Sequence, residues 1–136
     1  MNKIHHVGIV SQKLDLALNM LDIKKSQIQE IISDEIQHNK LHFIQLENND
    51  PWIEIIIPKN SNSTVFNYTK KYKMGLHHMG ILCNNIKEIE SQFEKNTEVV
   101  KIGNYELTVE SFGGKISTLF IATHNMITEY VEINNE

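Results

Sequence analysis

The chain has 136 residues, 40% hydrophobic and 22% charged, with a formal net charge of −4. Those proportions suit one globular domain or two small halves sharing a core and argue against wholesale disorder. All 13 basic residues are lysine. With no arginine and a negative balance the chain is a poor candidate for nucleic-acid binding, no nucleic-acid partner is expected, and an arginine fork on a substrate carboxylate is excluded.

No apolar run is long enough to span a bilayer. The start, Met1 to His6, lacks the long apolar region of a secretory signal, so a cytoplasmic protein with no membrane partner is expected. The single cysteine, Cys83, excludes an internal disulfide and a Cys-rich zinc site.

In chain order, Ile4 to Val10 reads as a strand, and Leu14, Ala17, Leu18 and Leu21 mark one face of a helix. Gln27 to Gln37 and Leu41 to Leu46 are strand-like, with a turn expected at His38-Asn39-Lys40. Trp52-Ile53-Glu54-Ile55 opens a closing strand. The polar stretch Lys59 to Lys73 is a connector, with a helical turn predicted around Val65 to Tyr72. A second strand, Leu76 to Leu82, leads to a second helix marked by Ile86, Ile89 and Phe93. Glu98 to Ile102, Glu106 to Glu110 and Lys115 to Ala122 are strand-like, with breaks expected near Gly103-Asn104 and Gly113-Gly114. Tyr130-Val131-Glu132-Ile133 closes the chain.

These elements form a repeat. Ile4-His5-His6-Val7-Gly8-Ile9-Val10 aligns with Leu76-His77-His78-Met79-Gly80-Ile81-Leu82, with four of seven positions identical. Trp52-Ile53-Glu54-Ile55 aligns with Tyr130-Val131-Glu132-Ile133. The predicted fold is α+β, two βαβββ modules at 1–58 and 75–136 joined by a connector at 59–74.

Strand alternation sorts the side chains. Val7, Ile9, Ile53, Ile55, Met79, Ile81, Val131 and Ile133 are assigned to the face beneath the helices. His6, Glu54, His78 and Glu132 then share the opposite face among bulky apolar neighbours. A carboxylate buried there needs a partner. Two imidazoles and two carboxylates suit a divalent metal such as Zn, Ni, Co, Mn or Fe. Gly8 and Gly80 leave room beside it. His5 and His77 fall on the other face and carry no role.

These motifs resemble the vicinal oxygen chelate superfamily, which includes glyoxalase I, methylmalonyl-CoA epimerase, fosfomycin-resistance enzymes, extradiol dioxygenases and bleomycin-resistance proteins. "HHVGI" and "GLHHMGI" resemble the two module starts, "WIEIIIP" the first closing strand, and "TLFIATHNMITEYVEI" the epimerase C-terminal segment. The resemblance implies that the two modules form a curved, partly open mixed sheet around a metal cleft, with the helices outside. It implies His6, Glu54, His78 and Glu132 as metal ligands, with Zn, Ni, Co or Mn as the ion. It further implies an isomerase, epimerase or lyase that stabilises an enediolate from a small α-carbonyl or thioester substrate, as a homodimer. The proton-transfer candidates are Glu132, His38 and Glu110. Trp52, Tyr130 and Phe43 are candidate pocket walls, and Lys59, Lys70, Lys71 and Lys73 could meet CoA phosphates. The chain departs from the epimerase pattern at Ala122-Thr123 and at Gln37-His38-Asn39, where epimerases have a Glu proposed as acid/base. A metal-free small-molecule binding protein of the bleomycin-resistance kind is the alternative.

Overall fold

A computed structural model describes residues 3–134. Met1, Asn2, Asn135 and Glu136, at the ends of the predicted modules, lie outside the described residues. Contacts divide the chain into two units. One runs from His6 to His77; the other holds the residues up to His5 and those from His78 onward.

The first unit follows the order strand, helix, three strands. β1 (Lys3–Ser11), which begins in the other unit, leads to α1 (Leu14–Leu21), a short 3₁₀ turn (Lys25–Gln27), β2 (Glu30–Asp34), β3 (Asn39–Ile44) and β4 (Trp52–Pro58). The hydrogen-bonded order is β2-β3-β4-β1, with β1 parallel to β4 and the other pairs antiparallel. Ala17 and Leu18 of α1 are buried against Ile44 and Ile55, with Leu14, Leu21, Ile53 and Ile57 around them. Full burial of a side chain such as Ile55 stabilises by about 1.5–3 kcal/mol. That packing decides which face of β4 meets the helix. The connector holds α2 (Phe66–Tyr72), so the predicted helical turn is a true helix of two turns.

The second unit repeats the plan. β5 (Met74–Leu82) is followed by α3 (Ile86–Phe93), β6 (Val100–Val109), a 3₁₀ turn (Glu110–Phe112), β7 (Gly114–Ala122) and β8 (Ile127–Ile133). Its strand order is β5-β8-β7-β6, again with one parallel pair, β5 with β8. Ile86 packs with Cys83, Leu119 and Ile121, flanked by Ile89, Phe93, Val99 and Tyr130. Asn85 caps α3, its side chain accepting a bond from Glu88 N at 3.2 Å. Both units are mixed α+β structures with the predicted βαβββ order.

Three local expectations change. The Gln27–Gln37 strand is shorter, Glu30–Asp34, and its expected first residue, Gln27, ends the 3₁₀ turn. The turn before β3 falls earlier than predicted: Asp34 Oδ1 accepts bonds from Ile36 N (3.0 Å) and Gln37 N (3.1 Å), and His38 completes it at φ 58°. Gly103 does not break the chain. β6 runs through it with a register shift between Lys101 and Gly103, a bulge rather than an end. At the other end of β6 the left-handed Gly113 (φ 99°) and Gly114 (φ 116°) do turn the chain, as expected.

Candidate metal centre

In the first unit Ile53 and Ile55 pack under α1, so Glu54 between them faces the other way. The register sets Glu54 directly opposite Gly8, two residues beyond His6 on the same face of β1. Gly8 has no side chain, so the carboxylate reaches across it toward the imidazole. His6 Nε2 lies 3.7 Å from Glu54 Oε1, and both residues are buried, at 2% and 8% exposure. Phe43 sits opposite Glu54 on β3, and Trp52 shares its face. These two of the three expected wall residues therefore flank the pair.

The second unit builds the same arrangement with a different glutamate. Gly80, two residues beyond His78, is opposite Glu129. His78 Nε2 lies 2.9 Å from Glu129 Oε1, and both are buried. Phe120 is opposite Glu129 on β7, its ring centroid 5.5 Å from that of His78 in an edge-to-face contact.

Glu132 is the correction to the expected ligand set. It lies three residues beyond Glu129, and an odd slip in a strand turns a side chain to the other face. Glu132 therefore points to the helix side, where its Oε1 accepts a bond from Ile86 N at 2.8 Å, at the start of α3. It holds negative charge at a helix N-terminus and does not face His78. Val131 and Ile133 move with it, onto the face of Glu129 rather than beneath the helix. Tyr130, expected as a pocket wall, packs on the helix side against Phe93 at 6.0 Å; burial pushes its phenol pKa up.

The remaining proton-transfer candidates stand away from the pairs. His38 lies in the β2–β3 turn, half-buried, five residues from Phe43. At about 3.3 Å per strand residue that is roughly 16 Å from the Glu54 row. Glu110 is exposed in the 3₁₀ turn. The six steps along β7 from Gly114 to Phe120 separate it from the Glu129 row by roughly 20 Å.

Lys59 is committed elsewhere: its Nζ donates to Ser33 Oγ and Glu35 Oε1, both at 2.7 Å. That contact holds the Glu35 carboxyl below its ordinary pKa. Lys70 and Lys71 end α2, with Lys71 Nζ 5.1 Å from the Tyr72 ring centre. Lys70, Lys71 and Lys73 are exposed. Cys83 belongs to the core under α3. Burial, and next the Glu132 charge, push its thiol pKa up, which keeps it protonated and unreactive.

No family model matches the sequence, and no curated protein matches it significantly. Solved structures share its fold. Methylmalonyl-CoA epimerase from Streptomyces coelicolor, in complex with 2-nitronate-propionyl-CoA, is 16% identical. The match covers 98% of each chain with a TM-score of 0.77. A methylmalonyl-CoA epimerase bound to methylmalonyl-CoA and ammonium is 16% identical over 97% of this chain and 94% of that one, with a TM-score of 0.76. A hypothetical protein, BH1468 from Bacillus halodurans, is 20% identical over 99% and 96%, with a TM-score of 0.72. At these identities the likeness establishes a common fold.

Proposed function

We propose that the chain is a metal-dependent isomerase or epimerase of the vicinal oxygen chelate type, acting on an α-carbonyl or acyl-thioester substrate. In each unit the buried pair, His6 with Glu54 and His78 with Glu129, is the proposed set of metal ligands. The observation that carries the reading is the twofold His–Glu pair. Each unit sets a buried glutamate opposite the glycine that follows its histidine, away from the helix. Buried carboxylates are costly without a cationic partner. Imidazole and carboxylate donors of this kind suit Zn, Co, Ni or Mn. The fold shared with methylmalonyl-CoA epimerase supports an isomerase of this class, and the ester bound in that structure suggests a thioester as the first substrate to try.

An ion bound there supplies Lewis acidity to a substrate carbonyl and positive charge for a developing enolate. The chain's own contribution is to exclude water and to move the proton. Val10, Phe43, Phe120 and Val131, all buried, keep the two faces dry. The carboxylates assigned to take the α-proton are those of the pairs, Glu54 and Glu129, because His38, Glu110 and Glu132 all stand away from them. Gly8 and Gly80 leave space over the sheet where a larger side chain would block the substrate.

The test is elemental analysis of the purified protein, followed by incubation with an acyl-CoA thioester in deuterated water. The expected result is near one equivalent of metal, with deuterium entering the α-carbon in a chelator-sensitive way. Less than about a tenth of an equivalent of tightly held metal, with no exchange, would overturn the reading and favour a metal-free binding protein.

A further inference from the structure

We infer that the face carrying His78 and Glu129 selects a substrate whose part beyond the chelating oxygens is uncharged, apolar and preferably flat. The inference rests on the metal reading above and adds the substrate class. Cross-strand register puts Gly103, Phe120 and Glu129 in one row, and Tyr105 and Thr118 in the next. Tyr105 packs edge-on against Phe120 at 5.7 Å, and Phe120 packs edge-on against His78 at 5.5 Å. A side-chain carbon at Gly103 would come within 3.1 Å of the Tyr105 hydroxyl, so the tyrosine ring lies back across that glycine. The result is a continuous aromatic surface running from β6 to the imidazole.

No counter-charge stands on this surface among the described residues of the unit. Strand alternation sends Lys101 and Lys115 to the helix side. There Lys101 pairs with Glu90 of α3, and Lys115 with Glu106 at 3.2 Å. The chain has no arginine. Glu129 already sets a carboxylate beside His78 on this surface, so a ligand bringing a phosphonate or a further carboxylate would carry unpaired charge against phenyl and aliphatic groups. A neutral or singly charged oxygen chelator with an aryl or alkyl group would instead bury that group on Phe120 and Tyr105.

Three hydroxamates with one chelating head test this: benzohydroxamate, acetohydroxamate and phosphonoacetohydroxamate, titrated calorimetrically into zinc-loaded protein of measured metal content. The expected order is phenyl tighter than methyl by about tenfold or more, and phosphonomethyl weakest. In Tyr105→Ala the phenyl advantage should shrink to about threefold or less while zinc content is unchanged, and Phe120→Leu should shrink it similarly. Equal binding of phenyl and methyl, or tighter binding of the phosphonate, would overturn the inference. Should the protein hold no zinc, the proposed function falls. The wall is then judged by the same ranking on metal-free protein, where absence of a phenyl preference overturns it.

Discussion

Glu129 and Gly80 are direct register partners across the parallel strands β8 and β5, in the same relation that Glu54 has to Gly8 across β4 and β1. A carboxylate set opposite a glycine meets no competing side chain, and both carboxylates lean to the histidine two residues earlier. The equivalence of the modules is thus a matter of hydrogen-bond register rather than of aligned letters.

His78→Ala removes an imidazole and leaves Glu129 buried. Metal content should fall well below half an equivalent, measured by elemental analysis. Glu54→Gln, which keeps a carbonyl oxygen in place, should hold more metal than His78→Ala. Full occupancy in His78→Ala would show that the imidazole is not a ligand.

Glu132→Gln removes the charge that Ile86 N meets at the start of α3. Helix-terminal carboxylates contribute about 0.5–2 kcal/mol, so the melting temperature should drop by a few degrees at neutral pH. An unchanged melting temperature would show that the contact contributes nothing.

Ser63→Ala tests the tie between the connector and the β2–β3 turn. Ser63 Oγ donates to Asn39 Oδ1 and accepts from Val65 N at 3.0 Å, with both Ser63 and Asn39 buried. Stranding those groups should cost about 1–3 kcal/mol by denaturant melts. A loss below about 0.5 kcal/mol would mean water replaces the hydroxyl.

His42 is buried on the helix side of β3, its Nδ1 3.2 Å from the Ile55 carbonyl oxygen. Burial lowers its pKa below the ordinary 6.5, with Lys40 and Lys25 adding to the effect. The unfolded chain binds that proton more readily. The neutral side chain's contribution is therefore present above pH 6.5 and is lost as pH falls through the folded value. Stability should decline from pH 6.5 toward 5, and His42→Gln, which does not titrate, should flatten that decline. Parallel curves for the two proteins would contradict it.

Much of this was legible in the sequence because the repeat is strong where burial demands it. The HHxGI strands and the leucine and isoleucine spacing of the helices set the two βαβββ modules without help from tertiary contacts. The second carboxylate was harder. "ITEYVEI" offers two glutamates of opposite parity, and aligning Tyr130-Val131-Glu132-Ile133 on Trp52-Ile53-Glu54-Ile55 chose the wrong one. The matching letters reflect β-strand composition, while the face is fixed by Tyr130 packing on Phe93 of α3. A usable signal did exist: Glu129 keeps the His-to-Glu spacing of the second module nearer that of the first. The bulge at Gly103 and the Asp34 turn depend on register and side-chain hydrogen bonds, which periodicity does not report.

The central claim turns on which of two glutamates serves His78. Metal content of Glu129→Ala and Glu132→Ala, purified side by side from metal-supplemented cultures, tests it directly. Glu129→Ala should lose most of its metal and Glu132→Ala should keep nearly all of it while melting lower. Retention in Glu129→Ala with loss in Glu132→Ala would contradict the account.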